Sequence, residues 1–136
     1  MNDLEESTQL MLQFEKRDGL LPVVVQEHQT GQVLMVGYAN HEALQLSITS
    51  RYATFWSTSR RELWTKGETS GDRLRIINVW VDCDQDALLY QVELEGSGVC
   101  HTKTADGHTR KACFYRKLDF AKQTLIFDSL SKAKTK

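Results

Sequence analysis

The sequence predicts a single, mainly β (α+β) domain carrying one or two helices. Three observations lead there. Apolar residues gather in short runs rich in Val, Ile, Leu, Phe and Tyr, such as VVVQEH, ATFWST, LRIINVWVD and ALLYQVELEG. Polar stretches with turn-forming residues separate these runs. Only residues 2–17 and 41–50 space their apolar side chains as helices do.

Taken in order, residues 2–17 bring Leu4, Leu10, Met11 and Phe14 near one face, with Gly19 past the end, and predict an N-terminal helix. Pro22 opens an extended stretch, QTG at 29–31 turns the chain, and QVLMVGYA returns it as a β-hairpin. Asn40 is placed to cap a short helix over HEALQLSITS, with Ala43, Leu44 and Ile48 inward. ATFWST (53–58) reads as a strand. SRRELWTKGETSG (59–71) has no clean period and reads as a functional loop. LRIINVWVD (74–82) and ALLYQVELEG (87–96) read as strands flanking an acidic cluster. A polar loop runs from Ser97 to Lys111, ACFYRKLDF makes the last strand, and the tail ending SKAKTK is expected to fray. No repeat or linker interrupts the chain. The expectation is one domain over 1–136, with its core at about 20–118, the helix at 2–17 and a tail at 119–136.

The 136 residues are the usual size of one domain. A chain of this length buries roughly 68% of its unfolded surface without disulfide staples. Seventeen basic residues against eighteen acidic ones leave a net charge of −1, which argues against a general nucleic-acid binder. The N-terminus lacks the positive and long apolar regions of a signal peptide. No window approaches the roughly 18 apolar residues of a membrane span. A cytoplasmic protein is expected, with no nucleic-acid or membrane partner. Three cysteines in a reducing compartment suggest metal binding or catalysis more than a disulfide framework.

The stretch VDCDQDALL (81–89) puts three carboxylates, Asp82, Asp84 and Asp86, around one thiol, Cys83. In an extended strand the carboxylates would share one face and Cys83 the other. Crowded carboxylates repel unless a cation neutralises them. Oxygen ligands suit Mg2+ or Ca2+, and a thiolate suits Zn2+. A solvated acidic turn is the bland alternative. An EF-hand is set aside, although Glu93 falls at its last ligand position, because Ala87 stands where Gly is needed and the flanks read as strands.

Cys100 and Cys113 are distant in sequence from Cys83. Three thiolates leave one position of a tetrahedral zinc site open, as in catalytic sites, where a water's pKa falls to about 7. His101, beside Cys100, is the candidate general acid or base. Plain packing as a small hydrophobe competes for Cys113. For His108, between two cysteines, we favour solvent exposure over a role as fourth ligand. His28 and His41 carry no implied role. In the 59–71 segment, Ser59, Arg60, Lys66, Thr69 and Ser70 supply phosphate donors, and Gly67 and Gly71 let backbone approach a ligand. Trp64 is placed to stack on a base or to pack. Glu68 has no evident structural reason. A polar surface loop fits these residues equally well.

Together, FWSTSRRELWTKGETSG, VDCDQDALL, GVCHT and CFYR, in that order, resemble the phosphoribosyl-AMP cyclohydrolase family of histidine biosynthesis, over about Leu20 to Leu118. The resemblance implies a barrel-like sheet in an intertwined homodimer and a zinc (Zn2+) site shared between subunits. Cys83, Cys100 and Cys113 map to the zinc ligands, Asp82, Asp84 and Asp86 to magnesium (Mg2+) ligands, and His101 to proton transfer. Ser59, Arg60, Trp64, Lys66, Gly67, Glu68, Thr69 and Ser70 map to the nucleotide-binding loop. The implied reaction is hydrolytic opening of the adenine ring of N1-(5-phosphoribosyl)-AMP at its N1–C6 bond. Thr58 and Asp72 depart from the family's usual residues, and the twelve residues at 101–112 exceed its usual interval. Arg110 and Lys111 in that longer interval are candidates to replace lost positive charge. A second domain that removes pyrophosphate, fused to some relatives, is not expected here. The alternatives are a divergent relative acting on another purine nucleotide and a non-catalytic zinc-binding dimer.

Overall fold

The computed structural model describes residues 3–128. Four strands form one mixed sheet in the order β2-β1-β6-β5, where β1 is Leu21–Glu27, β2 Val33–Ala39, β5 Leu74–Val81 and β6 Leu88–Leu94. β1 pairs antiparallel with β2 and parallel with β6, and β5 pairs antiparallel with β6. A helix, α2 (His41–Ser50), links β2 to a hairpin of β3 (Thr54–Ser57) and β4 (Glu62–Thr65). A second hairpin, β7 (Arg116–Asp119) and β8 (Thr124–Phe127), closes the described chain.

Period-two alternation builds the core. Leu21, Val23 and Val25 of β1 face inward beside Leu88, Tyr90 and Val92 of β6. Leu74, Ile76, Phe55, Leu34 and Met35 join them. Asn40 caps α2 as its sequence predicts, its Oδ1 accepting from the Ala43 N–H at 2.8 Å. Helix α2 closes one side with Ala43 and Leu44, and fully burying the latter is worth about 2 kcal/mol. Ile48, expected inward, is exposed, and Ser47 takes the buried place. Its hydroxyl donates to the Thr54 carbonyl and accepts the Thr54 N–H, tying α2 to β3.

Three expectations are corrected. The sheet is not closed into a barrel: β2 and β5 are its outermost strands among the described residues, and an isolated bridge from Tyr52 to Arg75 touches β5. The 2–17 helix is reduced to α1 (Asp3–Glu6) and a 3-10 turn at Phe14–Arg17. Between them, Met11 and Gln13 spend their N–H groups on Gln85, so tertiary hydrogen bonds replace helical ones. Position 2 lies outside the described residues. Finally, part of the tail forms β8, paired with a strand confined to Arg116–Asp119. The SKAKTK end lies outside the described residues. No helix among the described residues is long and apolar enough to cross a membrane.

Candidate active site and metal centre

The acidic cluster sits on a tight turn between β5 and β6. The strand alternation expected there is absent: Gln85 is left-handed at φ 57°, and the chain reverses across 82–87. The three carboxylates still converge, each offering an oxygen within 4.8 Å of the others. Asp82 also has a structural task that the sequence did not reveal. Its Oδ1 accepts the N–H groups of Asp86 at 2.9 Å and Ala87 at 3.0 Å, holding the turn closed. Burial pushes the Asp82 carboxyl above its ordinary range, against those two donors.

Two cations that sequence reasoning missed lie on this cluster. Lys16 Nζ is 2.8 Å from Asp86 Oδ2 and 3.4 Å from Asp84 Oδ2, and Arg17 is 3.0 Å from Asp86 Oδ2. The Lys16 ammonium is the main reason the Asp86 carboxyl is held far below the usual carboxylate range. Read as the end of an amphipathic helix, Lys16 and Arg17 gave no signal of this role.

The cysteines separate into a pair and a single. Cys100 and Cys113 meet, although Cys83 does not join them: the only trio of candidate ligands among the described residues is Asp82, Asp84 and Asp86. The long interval between the pair folds back on itself. The Val99 N–H donates to the Lys111 carbonyl, the Cys100 N–H to Arg110, and Lys103 bridges to Thr109. Cys113 is pinned through its own N–H to the Leu34 carbonyl of β2 at 2.7 Å. Cys100 is buried, and both the N–H and the hydroxyl of Thr102 lie on its sulfur, at 3.4 and 2.8 Å. Cys113 is exposed as a residue, yet desolvation of its sulfur, reinforced by Cys100, pushes the thiol up to about 11. The positive charge of Lys66 pulls in the opposite direction. Cys83 is exposed, as are His101 and His108.

The segment expected as a loop contains β4, paired residue by residue with β3. Its candidate residues therefore divide between two ends of a strand. Ser59 and Arg60 occupy the hairpin tip. There they line a cleft of about 240 Å³ with Trp64 and with Tyr38, Trp56 and Thr58. Trp64 also packs on Phe55, ring centres 5.4 Å apart. Lys66 to Ser70 lie at the other end, with Glu68, Thr69 and Ser70 exposed and Ser70 Oγ accepting the Asp72 N–H. Gly67 has a packing reason to be glycine. At φ 79°, a Cβ there would lie 2.2 Å from the Asp72 carbonyl carbon. Arg110 and Lys111 are not spare charges: Lys111 pairs with Glu27 at 2.6 Å, and Arg110 is buried over the Tyr115 ring.

Paired thiols, a carboxylate trio and a cleft combining aromatic rings with a guanidinium are the chemistry of an enzyme, carried at three places on the chain. Residues 35–115, more than half the chain, match the phosphoribosyl-AMP cyclohydrolase family. The chain belongs to that family of hydrolases. It is 50% identical over 108 residues to a phosphoribosyl-AMP cyclohydrolase of Solibacter usitatus, covering 79% of this chain and 81% of that one. It is 47% identical to one of Archaeoglobus fulgidus over 79% of this chain and 93% of that one. A histidine biosynthesis bifunctional protein of Aquifex aeolicus is 43% identical over 81% of this chain and 50% of its own length.

Proposed function

We propose that this chain opens the adenine ring of N1-(5-phosphoribosyl)-AMP in histidine biosynthesis, giving the formimino-aminoimidazole carboxamide ribonucleotide. The observation that carries the reading is the meeting of Cys100 and Cys113, both inside the segment that matches the family. Substitution at N1 leaves the ring cationic and C6 electrophilic. The oxygen of water bonds to C6, the N1–C6 bond breaks, and N1 leaves carrying a proton.

The donor chemistry fits two metals. Two soft sulfurs meeting in one place suit zinc, with the exposed Cys83 of a second copy as third ligand. Three carboxylates, two of which already draw the cation Lys16, suit magnesium. Zinc, when bound, supplies a Lewis acid that activates water. The chain's own side chains do the rest. The N–H and hydroxyl of Thr102 orient Cys100, as outer hydrogen bonds do for metal ligands. The ammonium of Lys66 favours the anionic form of Cys113 that a metal requires. His101, next to Cys100 and exposed to solvent, moves the proton between water and N1. Ser59 and Arg60 donate to a phosphate at the cleft, where Trp64, Trp56 and Tyr38 offer faces to a ring. Gly67 and Glu68 hold the loop's turn, and Thr69 and Ser70 add donors at its rim.

The working form in this proposal is a homodimer. Its support is apolar surface left uncovered in one copy, including Trp80 at 57% exposure, Phe114 at 60% and Phe120 at 88%. Adding phosphoribosyl-AMP should produce a change in ultraviolet absorbance, abolished by Cys100→Ser or by strong chelation. Absence of turnover in preparations fully loaded with zinc would overturn the enzymatic reading.

A further inference from the structure

The N-terminal segment is clamped onto the acidic turn by more than charge. The buried Gln85 receives the Met11 N–H on Oε1 at 2.7 Å and the Gln13 N–H on its backbone carbonyl at 2.8 Å. Its own Nε2 donates to the carbonyls of Leu4 and Gln9, each at 3.2 Å. These bonds fix the backbone ahead of Lys16, whereas the Lys16 side chain remains 53% exposed. Its ammonium rests on Asp84 and Asp86, two of the three carboxylates whose oxygens crowd within 4.8 Å.

We propose that Lys16 is a built-in competitor for the divalent cation at Asp82, Asp84 and Asp86, so that metal uptake there is an exchange of one cation for another. The inference rests on reading this trio as the magnesium site. The physical reason is space and charge. A magnesium ion needs oxygens at roughly 2.0–2.1 Å in near-octahedral array, and an ammonium already on two of those carboxylates both blocks positions and repels the incoming ion. Because the side chain is half exposed and its anchors lie earlier in the chain, it can swing into water without unfolding the clamp. Lys16 thereby weakens magnesium binding, and it keeps the carboxylates compensated whenever the ion is absent.

The test is calorimetric titration of Mg2+ into the full chain as the native protein, Lys16→Met and Lys16→Arg, together with the rate at which an amine-acylating reagent modifies native Lys16, read by mass spectrometry, with and without Mg2+. Lys16→Met keeps the aliphatic stem and should tighten binding on the order of fivefold, the scale of an exposed ion pair. Lys16→Arg should bind as the native protein does. Mg2+ should speed acylation of the Lys16 amine by freeing it from the carboxylates. Equal affinity in native and Lys16→Met protein, with Lys16 acylation indifferent to Mg2+, would overturn the competition while leaving the metal site in place. No Mg2+ binding by any of the three would overturn the magnesium reading of the trio and the competition with it.

Discussion

Cys100 and Cys113 are neighbours in the folded chain because the residues between them pair with each other. The Cys100 N–H bonds the Arg110 carbonyl at 3.2 Å, and the ribbon returns the chain to Cys113 at β2. A longer connection therefore costs the pair little, since its closure is met by local hydrogen bonds.

Zinc affinity should rise with pH. The Cys113 thiol, at about 11, is protonated near neutrality, so a metal that takes its sulfur must expel that proton. Affinity should climb by up to about tenfold per pH unit for each proton released. Chelator competition between pH 6.5 and 8.5 measures this, and a flat profile would contradict a thiolate ligand at Cys113.

Mixing two inactive variants should restore activity. In the proposed homodimer, Cys83→Ser or Cys113→Ser would leave every shared site one sulfur short. A mixed dimer regains one intact site, with Cys83 from one subunit and Cys100 and Cys113 from the other. Re-association of equal amounts should recover roughly a quarter of native turnover. Recovery of nothing, despite mixed dimers seen by mass spectrometry, would argue against a site built across subunits.

Asp82 should show its two tasks in different substitutions. Asp82→Asn keeps an oxygen for the Asp86 and Ala87 N–H groups but loses charge, so it should weaken Mg2+ binding at nearly native stability. Asp82→Ala frees both donors and should cost a further ~1–2 kcal/mol in denaturant unfolding. Equal stability of the two would remove the turn-closing role.

Stability should decline on both sides of neutrality, for different groups. Asp86 is held below its ordinary 3.8, chiefly by Lys16, so its contribution is present above that value and lost as pH falls below it. Tyr90 is pushed up to about 12 from 10.0 by burial, so the folded state holds its proton longer. Stability should fall as pH rises from about 10 toward 12. Tyr90→Phe should soften that alkaline decline and change neutral stability by less than about 1 kcal/mol, since among the described residues the buried hydroxyl makes no well-formed hydrogen bond and has only Ser47 as a weak polar neighbour. An unchanged alkaline limb would assign the decline to other groups.

Two glycines of one loop should respond unequally. Gly67→Ala brings a Cβ to 2.2 Å from backbone at a positive φ and should cost more than about 3 kcal/mol. Gly71, also at positive φ, faces open space, and its alanine variant should cost only about 1 kcal/mol. Similar melting temperatures for the two would refute the packing role of Gly67.

The sequence by itself determined the strands, because Val23, Val25, Leu88, Tyr90 and Val92 repeat with the period of a pleated sheet. It determined helix α2 through Asn40 and the family through its long motifs. Tertiary structure decided what local pattern does not encode. The 7–13 stretch has helical spacing, but Gln85 claims its N–H groups, and a hydrogen bond to a distant residue leaves no trace in periodicity. Segment 59–71 looked aperiodic because β4 is short and pairs with β3 across a hairpin. The carboxylates converge through a turn at Gln85 rather than through strand alternation. Lys16 found Asp86, and Cys100 found Cys113, only after the chain had folded, since such meetings depend on distances in space and not on spacing along the chain.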